Sequence, residues 1–198
     1  MTVSSPPLSE RVAAILEAAC RVVVREGAHG LRMAGVAEEA GVSKALVHYY
    51  FSTRQELLRH VFAYSEERLD DAVDRDLSRL PSGAARLERA LVISVEAGTP
   101  FREMRALWNE VWSSFRFDGA LRPLAEESYG RWLDRIVELV EEGRADGSLT
   151  ASVDPAEAGR RLIAVAEGID SLLYLGLVGR EEAHELLLGG LRRETQPA

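Results

Sequence analysis

MAGVAEEAGVSKALVHYYF, residues 33 to 51, holds two short helical patterns, about Met33 to Ala40 and about Lys44 to Tyr50, separated by Gly41-Val42-Ser43. Val36, Ala37 and Ala40 give the first helix an inner face, and small Ala37 allows close helix approach. Gly41 allows a positive φ in the turn, Val42 plugs the space between the helices, and Ser43 caps the second helix. Two short helices at a steep angle around a glycine-containing turn form a helix-turn-helix, whose second helix can enter the major groove of DNA. Val47 and Phe51, four residues apart, face inward with Tyr50. Lys44, Ala45, Leu46, His48 and Tyr49 are left outward.

That outward set suits DNA. Lys44 at the helix start can donate to guanine or to phosphate, Ala45 and Leu46 can touch thymine methyl groups, and His48 and Tyr49 can hydrogen-bond phosphate or base edges. The helix start at Ser43 adds a partial positive charge suited to phosphate. Arg54, at the start of the next helix, is placed for a backbone phosphate contact. Lys44 is the chain's only lysine among 24 basic residues. An isolated glycine turn between short helices also occurs in helical proteins that bind no DNA, with His48 and Tyr49 as plain surface residues.

Outward from this stretch, helical spacing dominates and period-2 alternation is nearly absent, so the fold class is all-α. Ser9 caps a first helix that runs to about Gly27, with Val12, Ile15, Leu16, Ala19, Val22 and Val23 as its apolar stripe and Gly27 as its left-handed terminator. A long helix from about Arg54 to Leu80 turns Leu58, Val61, Phe62, Leu69, Val73 and Leu77 inward. Further helices are expected at about 84–97, 101–117, 121–146, 155–178 and 181–194, punctuated by Asp154 as N-cap, Pro155 at N1 and Gly179 as C-cap. The expected division is a helix-turn-helix domain over 1–55 and a ligand-binding and dimerisation domain over 56–198.

The 198 residues are 46% hydrophobic and carry a net charge of −8, enough apolar content for a sizeable core. The charge is uneven. Residues 1–60 carry seven Arg or Lys against six Asp or Glu, a net +1, and the remainder 17 against 26, a net −9. Only the first segment suits a polyanion. The lone Cys20 lies in an apolar helical pattern and reads as core, which fits a reduced cytoplasm. The first ten residues lack a secretory pattern and no run reaches the roughly 20 apolar residues of a membrane span, so a soluble protein is expected. No G-x-G-x-x-G, H-E-x-x-H or CxxC motif is present, and His29, His48, His60 and His184 lack metal spacing. The expectation is no enzyme, no metal and no cofactor.

Residues 11–58, RVAAILEAACRVVVREGAHGLRMAGVAEEAGVSKALVHYYFSTRQELL, resemble the DNA-binding domain of the TetR family through Gly27, Val36, Ala37, Ala40, Gly41, Val42, Ser43, Tyr50, Phe51, Leu57 and Leu58. By this resemblance Lys44, Ala45, Leu46, His48, Tyr49 and Arg54 take DNA-contacting positions. Met33 stands where the family often has a capping threonine, and Ala34 where some members place a base-reading arginine; Arg32 is the candidate replacement for a phosphate contact. Those two departures also leave open a ligand-binding helical protein with a weakened helix-turn-helix and no operator activity.

In the C-terminal half, Phe101, Met104, Leu107, Trp108, Val111, Trp112 and Phe115 form one apolar helical face, and Tyr129, Trp132, Leu133, Ile136, Val137 and Val140 another. The large rings suit a small-molecule pocket between helices or a plain core. The candidate ligand residues are Phe101, Met104, Trp108, Trp112, Phe115, Tyr129 and Trp132. Less specifically, this half resembles the BetI-like branch of the family, whose namesake answers to choline; aromatic rings near Glu110 would suit a quaternary ammonium by cation–π attraction. Helices 155–178 and 181–194 are apolar on more than one side, which points to a homodimer or to a helix central to its own subunit. The implied mechanism is a repressor dimer on a near-palindromic double-stranded DNA operator, released when a small-molecule effector shifts the 101–117 helix against the long helix.

Overall fold

The computed structural model describes residues 10–95, 107–109 and 122–195. Regular structure among them is entirely helical, as the spacing predicts. The helices are α1 (Glu10–Gly30), α2 (Met33–Glu39), α3 (Lys44–Tyr50), α4 (Arg54–Leu77), α5 (Gly83–Val95), α6 (Arg122–Ala145), α7 (Pro155–Tyr174) and α8 (Arg180–Thr195), and residues 107–109 are also helical. No described helix is long and apolar enough to cross a membrane.

The chain divides into two compact units, residues 1–69 with 102–124 and residues 70–101 with 125–198. The division falls inside α4, later than the boundary expected from sequence. The reason is packing: Leu57, Leu58, Val61 and Phe62 on the first turns of α4 are all buried, and the Phe62 ring meets Trp108 of the same unit edge-on, with centroids 5.2 Å apart.

In the first unit α1 buries Ile15, Leu16, Ala19, Val22 and Val23 together with Cys20. Gly27 has the expected positive φ of 75° and non-helical backbone, so the regular first helix stops there as expected and a kink follows. It redirects the chain into one more turn, which drops Ala28 and Leu31 into the core. α2 closes on Ala40 and Gly41 in a Schellman motif. The Gly41 amide donates to the Glu38 carbonyl at 3.1 Å and the Val42 amide to the Ala37 carbonyl at 2.9 Å, with Gly41 at φ 65°. These bonds satisfy carbonyls that a short helix leaves open at its end. A Cβ at Gly41 would meet nothing within 4 Å, so Gly41→Ala is expected to cost only backbone strain, about 1–2 kcal/mol, read as a lowered midpoint in urea with an unchanged slope.

α4 begins with a capping box. The Glu56 amide donates to Thr53 Oγ1 at 3.1 Å while the Ser52 amide donates to Glu56 Oε2 at 2.7 Å. Glu39, at the end of α2, accepts from Arg21 Nε at 2.8 Å and Arg25 Nη1 at 2.9 Å and so ties α2 to α1. These contacts hold both carboxyls below the ordinary range, Glu39 through Arg21 first and then Arg25, Glu56 through the Ser52 amide. A carboxylate with a depressed folded pKa contributes stability above its unfolded value and loses it as pH falls through the folded one. In the second unit Asp146 is likewise lowered, but burial raises Asp70 in opposition. Acidification below about pH 4 is therefore expected to loosen the first unit before the second, seen as earlier loss of amide-exchange protection in α2 and the start of α4.

In the second unit α5 packs against α7 and α8, which pack on each other. Leu87, Leu91, Leu162, Ile163 and Leu187 on these helices are buried. α7 starts as expected, with Asp154 accepting from the Glu157 amide at 2.8 Å and Pro155 in the first turn. It ends earlier than expected. Gly176, not Gly179, takes the positive φ of 68°, and the Leu177 amide closes the turn on the Leu172 carbonyl at 2.9 Å.

The start of α5 is held by the turn after α6. The Gly83 amide donates to Asp146 Oδ2 at 2.7 Å and the Ala84 amide to Ser148 Oγ at 3.0 Å. A Cβ at Gly83 would lie 2.2 Å from the Gly143 nitrogen and 2.7 Å from the Glu142 carbonyl carbon, both backbone atoms. Gly83→Ala must push α5 away from α6, at about 1–3 kcal/mol, visible as a fall in thermal midpoint.

Candidate nucleic-acid interface

Three local features fix α3. The Leu46 amide donates to Ser43 Oγ at 3.1 Å, the N-cap the sequence predicts. Val47 and Phe51 are buried, and the Phe51 amide donates to the Val47 carbonyl at 2.9 Å. With its inner side anchored, α3 leaves Lys44, Ala45, His48 and Tyr49 exposed, Tyr49 at 80%. Leu46, expected outward, is half-buried, and Tyr50, expected inward, is also half-buried. The Tyr50 ring lies edge-on to Tyr49 with centroids 5.1 Å apart, so one half-sunk ring braces the exposed one.

Arg32 is exposed and is the N-cap residue of α2, where its side chain makes no capping bond. Exposed Glu38 stands alone on the acidic side of α2, since Glu39 is neutralised by two arginines. Arg54 stands at the start of α4, as expected. Its guanidinium points back into the protein, donating from Nε to the Leu31 carbonyl at 3.0 Å and from Nη2 to the Ala28 carbonyl. Sequence reasoning missed this, because the acceptors are backbone atoms more than twenty residues away and leave no side-chain signal. It also missed a link between α1 and α4, in which the Tyr64 hydroxyl donates to Glu17 Oε1 at 3.0 Å and Arg68 lies 3.5 Å from the same oxygen.

Of the candidate ligand residues, Trp108 is half-buried against Phe62 in the first unit. Tyr129 and Trp132 are half-buried on α6, whose fully buried positions include Ile136, Leu139 and Val140. Phe101, Met104, Glu110, Trp112 and Phe115 lie outside the described residues. Among the described residues no three His, Cys, Asp or Glu side chains are grouped to hold a metal ion. On the last two helices one side is buried through Leu162, Ile163, Ala166, Ile169, Leu187 and Leu191. Tyr174 at 73%, Leu177 at 66%, Leu175 and Leu186 remain exposed.

A capped, outward-facing second helix on a helix-turn-helix, with the regular structure of the other described residues also helical, is the arrangement found in DNA-binding regulators. The pattern of bacterial regulatory proteins of the tetR family matches residues 15–61, and that of the C-terminal region of BetI-type transcriptional repressors matches residues 83–195. The chain is 44% identical over 191 residues to the transcriptional regulator BetI of Agrobacterium fabrum, covering 89% of this chain and 79% of the relative. It is 28% identical to BetI of an Escherichia coli strain over 158 residues, 78% of this chain and 77% of that one. A Rhodococcus sp. protein assigned to the TetR family superposes with a TM-score of 0.84 at 28% identity, covering 96% of this chain and all of the other. A Saccharomonospora viridis protein solved in complex with choline superposes with a TM-score of 0.85 at 24% identity, covering 95% and 98%, and shares the fold. The chain belongs to the TetR family of bacterial transcriptional regulators.

Proposed function

We propose that two copies of this chain bind a near-palindromic operator, repress transcription in the cytoplasm, and leave the DNA when a small molecule binds the C-terminal half. The observation that carries this reading is the exposed face of α3, with Lys44, Ala45, His48 and Tyr49 presented on a helix pinned by Ser43, Val47 and Phe51. Lys44 and Arg32 contact phosphate, the open helix start at Ser43 favours the same anion, and Ala45, Leu46, His48 and Tyr49 meet base edges. The two-fold pairing buries Tyr174, Leu175, Leu177 and Leu186, too apolar a group to leave in water at the end of a regulatory domain. Pairing places two copies of α3 in successive major grooves, about 34–36 Å apart or a multiple of a turn.

The candidate effector-contacting residues are the aromatic Phe101, Trp108, Trp112, Phe115, Tyr129 and Trp132, with Met104. An effector that prefers one of two arrangements shifts the population toward it, and typical couplings of about 1–3 kcal/mol weaken DNA binding roughly five- to 150-fold. α4 runs continuously through both units, so it is the covalent path for that shift. The test is to select host genomic fragments with the full chain, with and without a metabolite panel that includes choline. Recovery of fragments sharing one near-palindrome supports the reading. Recovery of none leaves a ligand-binding helical protein without operator activity.

A further inference from the structure

The first turn of α4 grips the helix-turn-helix at both of its ends. At the α3 end, the Ser52 amide, one residue beyond Phe51, donates to Glu56 Oε2 at 2.7 Å. At the α2 end, the Arg54 guanidinium donates to the Leu31 and Ala28 carbonyls. Leu31 precedes Arg32, whose carbonyl accepts the first helical bond of α2 from the Val36 amide at 3.0 Å. The arginine thus holds the peptide on which α2 is built. Its acceptors are carbonyls of the turn that follows the Gly27 kink, and both residues are buried.

Arg54 itself is half-buried. Two of the five guanidinium donors are directed at the protein, in a fork geometry that lysine cannot reproduce. Three turns further along α4, Tyr64 and Arg68 fasten the same helix to Glu17 of α1. Between these points Leu57, Leu58 and Val61 are buried, so α4 has no freedom to slide over α2 and α3 without breaking the Arg54 bonds.

We propose that Arg54 is a positioning residue that transmits the placement of α4 to the start of α2, and through the Gly41 turn to α3, rather than a ligand of the DNA backbone. This rests on the operator-binding reading and goes beyond it, because it assigns the regulator's sensitivity to α4 to one side chain. A phosphate ligand and a clamp respond differently to salt. Each lost phosphate contact lowers the slope of log affinity against log salt by about one, so a dimer losing two would fall by about two. A clamp changes the affinity and leaves the slope alone.

The experiment compares wild type, Arg54→Met and Arg54→Lys as full-length dimers on one recovered operator fragment across a salt series, with amide exchange measured on free protein. Arg54→Met keeps the apolar stem and removes the donors; Arg54→Lys keeps the charge and removes the fork. The expected result is a loss of roughly tenfold in both variants, the scale of one charge-assisted hydrogen bond, with the wild-type salt slope and faster exchange over residues 28–36. A lysine variant that binds like wild type, with a methionine variant whose slope falls by about two, overturns the proposal in favour of a phosphate contact. Wild-type affinity in both variants overturns it as well. If wild-type protein retains no fragment, the regulator reading fails, and exchange alone then decides the clamp: faster exchange over residues 28–36 in Arg54→Met supports it and unchanged exchange overturns it.

Discussion

Replacing Tyr49 with alanine is expected to give a folded protein that has lost its operator. The ring is 80% exposed and its neighbour in the structure is the Tyr50 ring, so truncation leaves the core intact, within the roughly ±0.5 kcal/mol of ordinary surface changes. In the proposed dimer on DNA the same ring would meet the major groove in both half-sites. Loss of one base-directed contact costs about 1–3 kcal/mol per half-site, and the two-fold doubles it, so the affinity falls by about 30-fold to 10⁴-fold. Lys44→Ala differs in kind. If Lys44 meets phosphate, its loss weakens all sequences alike and lowers the salt slope by about two per dimer, whereas Tyr49→Ala acts on the operator alone. Titrating both variants against operator and scrambled DNA separates these roles, and normal operator binding by both would remove α3 from the interface.

The second large effect is on stability. Phe62 is fully buried on α4 and meets Trp108 edge-on at 5.2 Å within the first unit. Phe62→Ala removes that contact and leaves a cavity in the core, at about 3–5 kcal/mol, including the aromatic pair's share of about 0.5–1.5 kcal/mol. At roughly 2–4 °C per kcal/mol for a chain of this size, the thermal midpoint falls by about 6–20 °C. The variant also tests the division of the chain. If the first half of α4 is core to the DNA-binding unit, amide protection in α1 falls along with that in α4. A loss under about 1 kcal/mol would place Phe62 outside any core.

What the sequence shows and what it hides follow from the range of each interaction. Gly41, Ser43 and Val47 were legible because a Schellman turn, an N-cap and a buried helical position each act within about five residues. Gly27 was read correctly as a left-handed residue, but whether helix resumes after it depends on Ala28 and Leu31 finding core space, which local spacing does not encode. Gly176 and Gly179 are three residues apart and equally able to end α7; the choice falls to the bond from Leu177 to Leu172. The division inside α4 has no punctuation at all, since a continuous helix serves two cores. The backbone bonds of Arg54 are hidden from the sequence for a related reason. A basic residue at a helix start suggests an anion, whereas the carbonyls that hold it lie 23 and 26 residues back in the chain. Leu46 shows the limit of face assignment on a seven-residue helix, where a position at the border of two faces is half in each.

Hydroxyl-radical footprinting of the full chain on a recovered genomic fragment asks whether paired α3 helices read the DNA. Two protected backbone patches are expected, centred about 10–10.5 base pairs apart or a multiple of that, flanking a near-palindrome and absent with a Lys44→Ala/Tyr49→Ala double variant. A continuous, sequence-independent footprint, or one the double variant reproduces, would contradict that reading.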